Sequence, residues 1–166
     1  IGGPVTIHDV ALDLDDVKWA KRQFWAPDAA EKDGKFYLYF PTKDLDDIFK
    51  IGVAVSNKPE GPFKSTDNPI EGSYSMDPSV FKDDDGSYYM YFGGIWGGQL
   101  QRWDESNKYS PSGCETQDSG IPNSPAISPR IAKMSDDMIS FSEDPKPVRI
   151  IDKNGDPILT KDHNRR

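Results

Sequence analysis

At 166 residues the chain is long enough for one compact domain or for a piece of a larger one. Its 20 basic residues against 28 acidic ones give a formal charge of -8, so it lacks the basic face that nucleic-acid phosphates or an anionic membrane surface would require. The single cysteine, Cys114, excludes an internal disulfide and a cysteine-based zinc site, and no apolar run approaches the roughly 18 residues of a membrane span.

The chain opens Ile1-Gly2-Gly3-Pro4 with no initiator Met, so residue 1 is not expected to be a natural start, nor Arg166 a natural end. Residues 1–23 read as the end of a preceding unit, with Asp9 in His8-Asp9-Val10 as an edge-strand or turn residue. A first unit spans roughly 24–75. It begins Phe24-Trp25-Ala26-Pro27-Asp28, turns at Asp33-Gly34, and continues through Phe36, Leu38 and Phe40 alternating with Tyr37 and Tyr39. Asp-Gly suits a tight two-residue hairpin, and alternation with aromatic enrichment predicts strands on both sides. Lys50–Val55 reads as a third strand and Pro69-Ile70 as the last. Glu60-Gly61-Pro62 falls in a polar turn between these two.

A second unit, roughly 76–152, repeats the order. Met76-Asp77-Pro78-Ser79-Val80-Phe81 leads to Asp83-Asp84-Asp85-Gly86, then to an alternating Tyr88–Phe92, a third strand at Arg130–Met134 and a last one at Val148–Ile151. Aligning Asp33-Gly34 with Asp85-Gly86 gives an offset of 52, and Pro27 with Pro78 gives 51. A period near fifty is that of a propeller blade, a four-stranded unit that cannot bury its own faces. The expected fold is all-β: about two to three four-stranded antiparallel blades of a larger propeller. Open blade faces would be apolar patches, so self-association through them is expected. Between the second and third strands of the later unit lies an insertion, roughly 93–128, rich in Gly, Ser, Pro and Asn and carrying Trp96 and Trp103. Residues 153–166 lead towards a further unit. Asp152-Lys153-Asn154-Gly155-Asp156 begins like a calcium loop, but Pro157 and His163 stand at its sixth and twelfth positions, so it reads as an Asn-Gly turn.

In a propeller the first strand of each blade lines the central channel. Asp28 and Asp77 would then stand near its mouth, although an Asp beside proline is ordinarily a turn or cap residue. Their recurrence at two equivalent places, with Trp25 nearby, points to a polar site. These residues, from Phe24-Trp25-Ala26-Pro27-Asp28 through Met76-Asp77-Pro78-Ser79-Val80-Phe81, resemble glycoside hydrolase family 43. Phe92-Gly93-Gly94-Ile95-Trp96-Gly97-Gly98-Gln99-Leu100-Gln101 is similar to its β-xylosidase/α-L-arabinofuranosidase branch.

The resemblance implies a five-bladed propeller and an inverting glycosidase with three carboxylates: a general base, a general acid, and an Asp that orients the acid and raises its pKa. Here the third is Asp77. Inversion needs one protonated and one ionised carboxyl with room for water, and a neighbouring anion keeps the acid protonated. Trp25 matches a tryptophan that packs on the bound sugar, the alternative being a blade-packing aromatic; Asp28 and Trp96 are further candidate sugar contacts. The substrate implied is a xylo- or arabino-oligosaccharide. No cofactor is implied for the chemistry, but a structural calcium is implied in the complete propeller. Stepping back along the repeat places the base before residue 1. The acid belongs to a Glu-Gly-Pro opening a later blade, a role that Glu60-Gly61-Pro62 does not fit. An endo-arabinanase of the same fold and a non-catalytic carbohydrate-binding propeller are the competing expectations.

Overall fold

A computed structural model describes residues 3–113 and 123–159. It is all-β: two antiparallel sheets, with helical content among the described residues confined to 3₁₀ turns such as Leu14–Asp16 and Trp96–Gly98. No helix of the described residues is long and apolar enough to cross a membrane.

The first sheet contains β1 (Ala20–Arg22), β2 (Asp28–Lys32), β3 (Lys35–Asp44), β4 (Phe49–Ser56) and β5 (Lys64–Ser65). β2 and β3 form a hairpin closed at Lys32↔Lys35. Asp33 and Gly34 between them have φ of 53° and 73°, the two left-handed residues of a type I′ turn. β3 is long enough to pair with β2 through Lys35–Tyr39 and with β1 through Lys43 and Asp44. Pro41 lies between these two pairings. It has no N–H to give a ladder on that side, and its carbonyl instead accepts from the Trp25 N–H at 3.0 Å. The segment between β1 and β2 swings away there, with Gln23 at φ 61°, and this bulge carries Trp25. Ala20–Arg22, expected to close a preceding blade, thus belongs to this sheet.

The second sheet runs β6 (Ser79–Lys82), β7 (Tyr88–Phe92), β8 (Arg130–Lys133) and β9 (Lys146–Pro147) in order. The last strand of each sheet differs from expectation. The ladder is made by Lys64–Ser65 and Lys146–Pro147 rather than by Pro69-Ile70 and Val148–Ile151. Pro69 has no N–H to donate; Ile70 still donates to the Ile51 carbonyl (2.9 Å) as the chain turns back along β4. Ile151 instead bridges Pro157 across the Asn154-Gly155 turn. Part of the 93–128 insertion, and residues 160–166, lie outside the described residues.

The main core is the seam between the sheets. Tyr37, Tyr39, Ile51 and Val53 of the first sheet meet Tyr88, Met90, Phe92 and Ala132 of the second, with Tyr74, Leu100 and Trp103. The alternation read from the sequence selects these residues: Phe36, Leu38 and Phe40 lie on the opposite face of β3, in a smaller cluster with Val17, Trp19 and Phe63. The stretch before β1 therefore covers the first sheet's far face. Gly52 is required there, because an added Cβ would stand 2.4 Å from the Phe40 ring and 2.6 Å from Trp19. The far face of the second sheet is open, with Phe81 54% and Tyr91 41% exposed. The two sheets are consecutive blades of a β-propeller.

Candidate functional site

β2 and β6, the first strands of the two blades, lie side by side. The Asp28 Oδ2 accepts from the Val80 N–H at 2.6 Å and so latches them together. Asp28 thus spends one carboxylate oxygen on a charge-assisted bond between blades. Asp77 stands two residues before β6, exposed, with its backbone at φ 55°. Among the described residues its carboxylate has no hydrogen-bond partner and is left facing solvent.

A glycine-rich loop after β7 joins Asp77 to Trp25. Gly93 donates to the Met76 carbonyl (2.8 Å), and a Cβ added to Gly94 would stand 2.6 Å from Met76 and 3.4 Å from the Asp77 Oδ2. A Cβ on Gly97 would stand 3.6 Å from the Trp25 ring. The loop backbone therefore runs between the carboxylate and the indole, and at Gly94 the approach to Met76 leaves no room for a side chain. Trp25 packs on Phe49 with the rings tilted at 46° and their centroids 5.0 Å apart, yet keeps 40% of its surface exposed. Trp25 thus packs on the blade through Phe49 and leaves part of its ring exposed. Trp96, 54% exposed at φ 57°, starts the 3₁₀ turn of the same loop, its N–H bonded to Gln101 Oε1 at 2.8 Å. Asp77, Trp25 and Trp96 are thus gathered around one loop; Trp103 is buried, stacked on Tyr74 at 4.2 Å. Glu60 is exposed in the turn between β4 and β5.

Two residues that sequence reasoning did not select hold this loop. Gln99 is buried, in left-handed backbone at φ 64°. Its Oε1 accepts from the Phe49 N–H (2.9 Å) and its Nε2 donates to the Asp47 carbonyl (3.0 Å), which fastens the second blade's loop to the first blade's β3–β4 hairpin. Ser75, fully buried at φ 64°, exchanges hydrogen bonds with both backbone groups of Gly94. The paired glycines of Gly93-Gly94 and Gly97-Gly98 are the only sequence signal of that close approach. Further out, fully buried Arg130 donates to the Tyr74 hydroxyl and to the carbonyls of Trp103, Asp104 and Ser128, tying the insertion to β8. Lys21 and Arg22 hydrogen-bond the Asp47 carboxylate and hold its pKa down to about 2. No group of three or more His, Cys, Asp or Glu side chains among the described residues is placed to hold a metal ion.

The model for Glycosyl hydrolases family 43 matches residues 6–110. The Xylosidase/arabinosidase 43A of Humicola insolens is 51% identical over 164 residues, covering 98% of this chain and 50% of that protein. The Xylosidase/arabinosidase of Bacteroides ovatus is 49% identical over 168 residues, covering 100% and 50%. Among solved structures, CoXyl43, a GH43 β-xylosidase/α-arabinofuranosidase from a compost microbial metagenome, in complex with xylotriose and in calcium-free form, superposes with a TM-score of 0.90 at 63% identity. That match covers 97% of this chain and 48% of the other. The chain spans about half the length of the curated relatives it matches.

Proposed function

The chain belongs to glycosyl hydrolase family 43, and on that premise we propose that the full-length protein releases terminal xylosyl or arabinofuranosyl units from hemicellulose with inversion at the anomeric carbon. The observation that carries the reading is the grouping of an unpartnered carboxylate, Asp77, with two exposed indoles, Trp25 and Trp96, around one glycine loop. An indole face binds the apolar face of a pyranose or furanose ring and leaves the ring hydroxyls to polar neighbours. The relatives named for xylosidase and arabinosidase action, and the similar structure holding xylotriose, support a xylo- or arabino-oligosaccharide substrate.

In this reading Asp77 is the third carboxylate of the inverting mechanism. A general base activates water on one side of the sugar while a general acid protonates the leaving oxygen on the other, their carboxyl groups about 6.5–9.5 Å apart. The anion of Asp77 beside the acid disfavours the acid's ionised form; each pKa unit gained corresponds to about 1.36 kcal/mol. Asp28, latched to Val80, orients β6, which follows Asp77. The base and acid come from parts of the full-length protein outside residues 1–166. No step of the chemistry is assigned to calcium.

The experiment is hydrolysis of aryl β-xylosides and α-arabinofuranosides by the full-length protein, with the anomer of the first-formed product read by NMR, and the 166-residue chain assayed alongside. Inverted product from the full-length protein, and no turnover by the shorter chain, is the expected result. Retained configuration, or turnover by the 166-residue chain that Asp77→Ala abolishes, would overturn the assignment of roles.

A further inference from the structure

Asp77 is exposed and no described residue holds its carboxylate, so the direction of that carboxylate is set by the backbone that carries it. That backbone is unusual. Ser75 and Asp77 are both left-handed, at φ 64° and 55°, a conformation uncommon for residues other than glycine. The side chain that fixes it is Ser75. Its hydroxyl accepts from the Gly94 N–H at 2.9 Å and donates to the Gly94 carbonyl at 3.1 Å, while its own N–H donates to the Phe49 carbonyl of β4 at 3.1 Å. Gly93 N–H to Met76 O at 2.8 Å continues the same line of bonds. Ser75 therefore joins the first blade through its backbone and the second blade's loop through its hydroxyl, two residues before the one that must be aimed. The loop lies directly on this joint: added Cβ atoms on Gly94 and Gly98 would stand 2.6 and 2.5 Å from Met76, and that on Gly98 3.2 Å from Ser75 Oγ.

We propose that Ser75 is a positioning residue for the reaction: its hydroxyl, clamped on Gly94, holds residues 75–77 in the left-handed turn that points Asp77 at the general acid. This rests on the reading of Asp77 given above. Glycine at 75 would adopt the same φ more easily but would leave the half-buried Gly94 N–H without its partner, whereas the Gly94 carbonyl would keep the Leu100 N–H at 3.0 Å. A clamp that acts on catalysis rather than on folding alone should change the proton chemistry, because displacing Asp77 lowers the pKa of the acid it faces.

The test compares Ser75→Ala, Ser75→Gly and Asp77→Asn in the full-length protein, measuring kcat, KM and the pH profile of kcat/KM. For both Ser75 variants kcat should fall between about 10- and 100-fold with KM little changed, as for a reacting group misplaced by about 1 Å. The alkaline limb, where the acid loses its proton, should move to lower pH. If Asp77→Asn leaves the rate and profile of the wild type, the reading of Asp77 itself fails. If Asp77→Asn is strongly impaired but Ser75→Gly keeps the wild-type rate and limb, the positioning role fails and the reading of Asp77 stands; this holds even where Ser75→Ala does not fold. A fall in rate with an unmoved alkaline limb marks a merely structural serine and also overturns the inference.

Discussion

Replacing Gly94 by alanine tests whether the glycine loop is shaped by the close approach described for it. The new methyl would stand 2.6 Å from Met76 Cγ and Sδ. Carbon atoms in ordinary contact keep roughly 3.5–4.0 Å, so the gap must open by about 1 Å. Met76 is 7% exposed and is pressed from a second direction by Gly98, whose own added Cβ would lie 2.5 Å from Met76 Cγ, so the thioether cannot retreat that way. Overpacking of this kind costs about 1–3 kcal/mol. Gly94 is not left-handed, so alanine adds no backbone strain, and the stiffer unfolded chain returns about 0.4–1 kcal/mol. The net expectation is a loss of about 1–2 kcal/mol, a factor of 5–30 in the folding equilibrium. Gly97→Ala is the matched control, because its methyl would meet only Trp25 at 3.6 Å, an ordinary contact. Urea unfolding of both variants of the full-length protein, followed by tryptophan fluorescence, measures the difference. Equal stability of the two variants would refute the packing argument.

Asp28→Ala should destabilise the blade seam by about 1.5–3 kcal/mol through loss of the charged acceptor for Val80 N–H, and Asp28→Asn, which can still accept, by less; chemical denaturation ranks them. The folded pKa of Asp47, near 2 against 3.8 for the free group, is depressed, so the stability that this carboxylate adds is complete above about pH 4 and is lost as pH falls towards 2. Melting curves of Asp47→Asn and wild type should therefore differ most at neutral pH and converge in acid. The 166-residue chain should self-associate through the open face of its second sheet, and Phe81→Glu with Tyr91→Lys should shift it towards monomer in sedimentation velocity.

The hairpins and the faces of the inner strands were legible in the sequence because their determinants are local. Asp33-Gly34 dictates its own turn, and the alternation from Phe36 to Phe40 assigns each side chain to a cluster. The outermost strands were not, since two-residue ladders such as Lys64–Ser65 leave no periodic trace. β1 escaped notice for a related reason: three residues that pair with the far half of β3, beyond a left-handed Gln23, carry no pattern of their own. In the site, Trp25, Asp77 and Trp96 could be named from residue type and motif, and the fold gathers them around one loop. The sequence offers Asp28 as a candidate sugar contact, whereas the structure shows one of its oxygens in the latch to Val80, a role that no local pattern announces. Ser75 and Gln99 were invisible, because a buried serine or glutamine is distinguished only by partners distant in sequence, here Gly94 and Phe49.

The central claim is that Asp77 acts on proton transfer. Its most direct measurement is the pH dependence of kcat/KM for Asp77→Asn in the full-length protein with an aryl xyloside. Loss of a contribution to general acid catalysis predicts a fall of roughly 10²–10⁴-fold, an alkaline limb displaced to lower pH, and urea stability close to that of the wild type, since no hydrogen bond to a described residue is lost. A variant with wild-type turnover and an unmoved profile would contradict the account and leave Asp77 as no more than the residue that ends a turn.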